Sequence, residues 1–456
     1  MKKQKEQKVE KNKMRIPHLG RGLLIAILLA LVSFTDVAHA AVTKQSIGIP
    51  MYAYPTIGTF WPDVNAAGSQ VQWVIVNPAT GPGVTVDPIY TNQIATNTSA
   101  GQRSIGYVNL NYQARPMSEV IDDIDDWYAM YPGISGIFFD LLLNGTSADV
   151  CYAAYAHNYV KSRHPNDLSV ANFGSYTSPP YEPYADIFVN AENNASTYLS
   201  SWNLPTDGFQ DNPAYSDRFM HIIHTASAGA QYTSVLNKIR NSNAEWAFIT
   251  DDIMPNPYDV TPSYWSAELT DIATLPASTI PNRGITQLPA GCMDLSQSVS
   301  TSSSNPSDTA KVFSNTITLT NTSSTYTAYT PNRVQFTLPT GTRLTSGSGT
   351  NWSCSGSTCT YSGAIAPSSN SEVLSAQIEV DCDYTGGNAT LTGTNFAGNA
   401  VNSTVNLSAP TDCALAATGA DNLRGVLLGI TAIGLGLLGI TLAIARLPKK
   451  VTLSAK

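Results

Sequence analysis

Between residues 46 and 275 short apolar runs alternate with longer stretches of mixed polarity. The runs fall at 47–54, 72–77, 104–108, 136–140, 168–172, 186–192, 220–224 and 246–250, each followed by a loop and a helix-length segment. Eight strand-helix units in this length predict an α/β fold of the (β/α)8, or TIM-barrel, type rather than an open sheet, whose strand count is usually lower. From 290 to 413 the pattern changes. Ser, Thr, Asn and Gly dominate, charges are few, and short alternating segments such as Val334-Gln335-Phe336-Thr337-Leu338 and Ala376-Gln377-Ile378-Glu379-Val380 are broken by turns. This predicts a small all-β, Ig-like sandwich. Its position suggests a spacer, and no aromatic platform beyond Trp352 points to carbohydrate binding by this part.

The two ends carry a different pattern. Eight basic residues precede or flank the start of an apolar run over 23–32, which is too short to span a bilayer and ends in Ala38-His39-Ala40. Residues 1–40 therefore read as an export signal peptide cut after Ala40. Residues 426–445 are uncharged and long enough for one transmembrane helix, and Arg446, Lys449 and Lys450 follow them. Just upstream stands Leu415-Ala416-Ala417-Thr418-Gly419. This pentapeptide resembles the LAxTG form of a sortase sorting signal, and segment 415–450 has the usual order of motif, apolar span and basic tail. The resemblance implies a sortase-type transpeptidase as partner, cutting between Thr418 and Gly419, and a protein anchored to the cell wall. A plain single-span membrane anchor is the other reading.

The net charge of −8 conceals an asymmetry. Between residues 41 and 419 there are 12 basic against 29 acidic residues, net −17. Such a field disfavours nucleic acid and anionic lipid as partners and suits a neutral or cationic one, though it also serves simple solubility. Of six cysteines only Cys151 lies in the first half. Cys354 and Cys359 flank a Ser-Gly-Ser-Thr turn and can close a hairpin; a second bridge among Cys292, Cys382 and Cys413 leaves one of these free or paired with Cys151. No Cys or His spacing suggests zinc, and no metal or other cofactor is implied.

In a (β/α)8 barrel the chemistry gathers at the C-terminal ends of the strands. The polar residues there are Tyr54, Asn77, Tyr107 or Asn109, Asp140, Asn172, Glu192, His224, and Asp251 or Asp252. Asp140 and Glu192 end the fourth and sixth runs, and two carboxylates facing each other across the mouth are the equipment of glycoside hydrolysis. Tyr54, Asn77, Tyr107, Asn172, His224 and Asp251 are the sugar-binding candidates. A carboxylate after a buried strand also commonly caps the next helix. The acidic run over 122–126 reads as a solvated helix face, and His221 and His224, three apart on a strand, point to opposite faces.

Several of these segments occur in a fixed order: Ile49-Pro50-Met51-Tyr52-Ala53-Tyr54-Pro55, Val74-Ile75-Val76-Asn77-Pro78 with Gly81-Pro82-Gly83, Gly106-Tyr107-Val108, Tyr112-Gln113-Ala114-Arg115, Gly136-Ile137-Phe138-Phe139-Asp140, and Thr250-Asp251-Asp252 with Asn256-Pro257-Tyr258. In that order they resemble the spherulin-4-like family over about half of the chain. The resemblance implies a (β/α)8 glycoside hydrolase acting on α-1,4-linked galactosaminogalactan and related N-acetylgalactosamine polymers. It places Asp140 on the family's strand-four Asp and Glu192 on its strand-six Glu. The family commonly has Phe-Phe-Asp-Glu, where this chain has Leu141 after Asp140. The expectation is a retaining glycosidase at the cell surface acting on extracellular polysaccharide, with Asp140 as nucleophile and Glu192 as acid/base. The rival expectations are a catalytically weak carbohydrate-binding surface protein and an adhesin.

Overall fold

The computed structural model describes residues 41–304 and 311–410. The export signal, the sorting pentapeptide and the apolar segment 426–445 lie outside the described residues. Among the described residues no helix is long and apolar enough to cross a membrane.

Eight parallel strands close into a barrel in chain order: β1 (Ser46–Met51), β2 (Val71–Val76), β3 (Arg103–Asn109), β4 (Ile134–Asp140), β5 (Leu168–Asn172), β6 (Ile187–Asn194), β7 (Phe219–His224) and β8 (Trp246–Ile249). Strand β8 pairs back onto β1, which removes both sheet edges. The connecting helices are α1 (Phe60–Ala66), α2 (Pro88–Ser99), α3 (Met117–Met130), α4 (Ser147–Arg163), α5 (Ala195–Ser201), α6 (Ala230–Asn241) and α7 (Trp265–Ile272). A 3-10 turn, Pro179–Tyr184, takes the helix position between β5 and β6.

Glycine is needed where a helix indole crosses a strand. At Gly106 in β3 an added Cβ would lie 2.4 Å from Trp127, a fully buried α3 residue whose Nε1 donates to the Tyr107 carbonyl at 2.8 Å. Gly48 in β1 makes room in turn for the indole of Trp73 from the neighbouring strand β2.

The described chain forms two units, the first running to Asn144 and resuming over Asp167–Asn282, the second taking Gly145–Asn166 and the chain from Arg283 onward. The barrel segment expected over 46–275 thus gives up α4, which groups with the second unit. Along α4 every residue from Val150 to Lys161 is buried. Its Tyr155 packs on Tyr326 and Phe396, with ring centroids 4.9 and 5.1 Å away, and Tyr159 packs on Tyr329 at 5.4 Å. The Cys151–Cys292 disulfide fixes the helix covalently.

The rest of the second unit is two antiparallel sheets. One joins β12 (Thr342–Ser348), β16 (Leu374–Val380), β10 (Lys311–Asn321) and β15 (Ser369–Asn370), with β9 (Leu295–Ser304) on β10. The other runs β13 (Trp352–Ser355), β14 (Thr358–Tyr361), β11 (Asn332–Thr337), β17 (Gly387–Thr394) and β18 (Ala400–Leu407). Burial alternates along β11, β16 and β17, as in sheets with one covered face. The Cys354–Cys359 bridge closes the β13–β14 hairpin, and Cys382 is also disulfide-bonded.

Candidate active site

Strand register brings four polar side chains to one face of the barrel mouth. Tyr107 in β3 is paired with Phe138 in β4, and Asp140 follows Phe138 by two residues on the same face. Asn172 closes β5 and pairs with Val189 in β6. Strict alternation from Val189 would turn Glu192, three residues on, away from that face. An extra residue in β6 at the register shift between Val189 and Ala191 restores it. The skipped residue, Asn190, is fully buried and donates to Gln210 at 2.9 Å, which anchors the bulge.

The four groups and a fifth, Tyr258, form one chain of hydrogen bonds. The Tyr107 hydroxyl donates to Asp140 Oδ2 at 2.6 Å, and Asn172 Nδ2 donates to Asp140 Oδ1 at 2.8 Å. The same Nδ2 donates to Glu192 Oε2 at 2.8 Å, and the Tyr258 hydroxyl to Glu192 Oε1 at 2.6 Å. All four carboxylate oxygens accept a bond. Asn172 is aimed by its other end, since the Gly174 N–H donates to Asn172 Oδ1 at 2.8 Å and only the NH2 group is left to face the acids. The Gly174 carbonyl in turn accepts from Glu192 N at 3.0 Å. Gly174 has φ +61°, a left-handed conformation suited to glycine.

One nitrogen with two 2.8 Å bonds limits Asp140 Oδ1 and Glu192 Oε2 to about 5.6 Å apart, twice that length. Burial raises the Asp140 carboxyl above its ordinary value; the Tyr107 hydrogen bond opposes this, the Glu192 charge adds to it, and Asn172 opposes it. Burial, with the Glu192 and Asp140 charges, holds the Tyr258 phenol far above its ordinary value, so it stays a donor at any working pH. Tyr52 lies between the two holding tyrosines, its ring edge-on to Tyr107 at 5.9 Å and to Tyr258 at 5.8 Å. The β8 loop is tied down beside it, with Tyr52 N donating to the Tyr258 carbonyl at 2.9 Å and Asn256 Nδ2 to the Tyr52 carbonyl at 3.1 Å.

Of the residues singled out from sequence, Asp140, Glu192, Asn172 and Tyr107 meet in this network. The others have different attachments. Asn77 Oδ1 accepts from Gly81 N at 3.0 Å and braces its own loop. Asp251 accepts from Ser263 N at 3.0 Å and from the Ser263 hydroxyl. His224 ends β7 on the Glu192 face, contacts Thr225 Oγ1 at 2.9 Å, and is held below its ordinary value by burial. Tyr54 is exposed, its hydroxyl donating to Asp87 at 3.1 Å. Tyr52 was missed as a site residue because the first apolar run was read through to Tyr54, three residues beyond the end of β1, and Tyr258 because it lies nine residues beyond the end of β8. The signal available for them was the Pro50-Met51-Tyr52 and Asn256-Pro257-Tyr258 motifs.

Every group in the network lies within residues 46–272, which match the model of the spherulation-specific family 4. The chain carries a spherulin-4 family domain. Spherulin-4 from Physarum polycephalum is 29% identical over 258 residues, covering 55% of this chain and 77% of its own. Among solved structures, Aspergillus clavatus Sph3 in complex with GalNAc is 25% identical and covers 52% of this chain and 100% of that one, with a TM-score of 0.45. A family 39 glycoside hydrolase from Bacteroides cellulosilyticus WH2 is 10% identical, covers 74% of this chain and 81% of that one, and has a TM-score of 0.33. In the spherulin-4 domain of this chain Leu141 follows Asp140 with φ +60°. Its bend is pinned by Leu110 N donating to the Asp140 carbonyl at 3.0 Å and Leu142 N to the Asn172 carbonyl at 3.1 Å.

Proposed function

We propose that the barrel is a retaining glycoside hydrolase acting on α-1,4-linked galactosamine- and N-acetylgalactosamine-containing polysaccharide. The observation that carries this reading is the Asp140–Asn172–Glu192 bridge. Its two 2.8 Å bonds keep the facing oxygens within about 5.6 Å, a limit that accommodates the ~5–5.5 Å suited to direct attack by one carboxyl and falls short of the ~6.5–9.5 Å that an intervening water needs. The sugar class is the one that the family resemblance of residues 46–272 implies.

In this reading Asp140 attacks the anomeric carbon while the Glu192 proton passes to the departing glycosidic oxygen. The C–O bond to the leaving sugar breaks, and an ester bond to Asp140 forms. Glu192, now ionised, takes a proton from water, whose oxygen displaces Asp140 and regenerates both groups. Tyr107 and Tyr258 fix the two carboxyls, and Asn172 keeps them at one spacing. Residues 46–272 hold 7 basic against 22 acidic residues, net −15, a field that favours a partly de-N-acetylated, cationic polymer. On sequence grounds we place the enzyme at the cell surface, exported by residues 1–40 and joined through Thr418 or held by residues 426–445.

The test is product analysis after incubating the full chain with galactosamine-containing polysaccharide, beside Asp140→Asn. That variant should bind the polymer and lose several orders of magnitude of turnover, more than the ~10²–10⁴-fold of a lost acid/base group. Wild type that binds without cleaving, to the same extent as Asp140→Asn, would replace this reading with a carbohydrate-binding protein, for which Leu141 in place of the family's second acid is the motive.

A further inference from the structure

Among the described residues of the barrel unit, every exposed large apolar side chain lies in a loop that follows a strand's C-terminal end. Water disfavours such a concentration, which commonly marks a binding surface. Three of these side chains, Tyr54, Ile57 and Val260, come from the loops after β1 and β8 and line a cavity of about 340 Å³ together with Tyr52, Phe60 and Asp259. That is the size range of small-ligand pockets, with the usual apolar wall and few polar groups.

Tyr52 is common to this cavity and the catalytic cluster. One face of the cavity is thus a ring that packs against the tyrosines holding Asp140 and Glu192. Tyr54 is braced as a platform, its hydroxyl on Asp87 at 3.1 Å and its ring edge-on to Tyr90 at 5.5 Å. A tyrosine fixed in this way offers a large contact face with little rotamer entropy left to lose. Asp259, which accepts from Asn256 Nδ2 at 3.3 Å, and Thr261 supply polar groups for hydroxyls or an amine.

We propose that this cavity is a second sugar subsite, which stacks a pyranose ring of the same polysaccharide on Tyr54 next to the ring held at the carboxylates. The site then takes a chain rather than a single residue. The inference rests on the glycosidase reading and adds the subsite to it.

The experiment is calorimetric titration of full-chain Asp140→Asn with α-1,4-galactosamine oligomers of two to five units. Affinity should climb about tenfold once the oligomer reaches the cavity, the scale of one good anchoring contact. Adding Tyr54→Ala should remove most of that climb, and Tyr54→Phe, which keeps the ring, should preserve most of it. Thermal unfolding of each variant verifies that the fold is intact. A climb indifferent to Tyr54→Ala, or an equal loss at every length, overturns the subsite alone. No binding of any oligomer to any of these proteins overturns the subsite together with the glycosidase reading.

Discussion

A single amide carries the arrangement of the site. Asn172 donates to both acids from one nitrogen, and Asn172→Ala should let the carboxyls separate, lowering kcat/KM by at least the ~10² of a misplaced catalytic group. Steady-state kinetics on the polymer give the answer; a loss of less than threefold would mean that the acids hold their spacing without it. Tyr107 has a more specific signature. Its hydrogen bond opposes the rise that burial imposes on Asp140, so Tyr107→Phe should push that carboxyl higher still. Because Asp140 must be ionised to attack, the acidic limb of the kcat/KM profile should move to higher pH. A shift to lower pH would contradict the assignment. Glu268 offers a stability test away from the chemistry: it is fully buried, its Oε1 accepts from Ile249 N at 2.9 Å, and burial raises it well above its ordinary value. Its contribution is present below the unfolded value and is lost as pH rises through the folded one. Glu268→Gln keeps the acceptor without the titration, so it should raise Tm at alkaline pH relative to wild type. The acids, Asn172 and Tyr107 were legible in the sequence because each lies at or within two residues of the C-terminal end of a strand. Tyr52 and Tyr258 were not, since nothing in a loop's composition says that it folds back over the mouth.

The eight barrel strands were legible as elements because each is an apolar run between loop and helix, and the observed strands fall on the eight runs. Two features escaped the pattern. The bulge in β6 is invisible to period-two reading, yet it decides that Glu192 faces Asp140. Helix α4 is buried almost all round, so its sequence has no polar stripe to mark its partners. Close helix-to-strand packing also makes a prediction at this scale. Gly106→Ala would set a methyl against the Trp127 ring and should cost ~1–3 kcal/mol, as overpacking does. Denaturant unfolding measures it; an unchanged midpoint would mean that α3 can retreat freely.

For the whole molecule, the grouping of α4 with the second unit alters the expected role of that unit. A plain spacer would be dispensable, whereas Tyr155 and Tyr159 are covered by Tyr326, Tyr329 and Phe396, and Cys151 is bonded to Cys292. A chain ending at residue 282 should therefore expose this face, unfold at a lower temperature than the full chain, and aggregate; equal thermal stability would restore the spacer. The acidic barrel predicts that polymer affinity falls with added salt once screening shortens to the Debye length of ~10 Å at 0.1 M. Salt-independent binding would leave the charge as a solubility feature. The central claim is a covalent route through Asp140, and it is tested most directly by the anomer first released from an α-linked galactosamine polymer, followed by proton NMR before mutarotation. Two displacements at one carbon predict the α anomer first, and initial release of the β anomer would contradict the account.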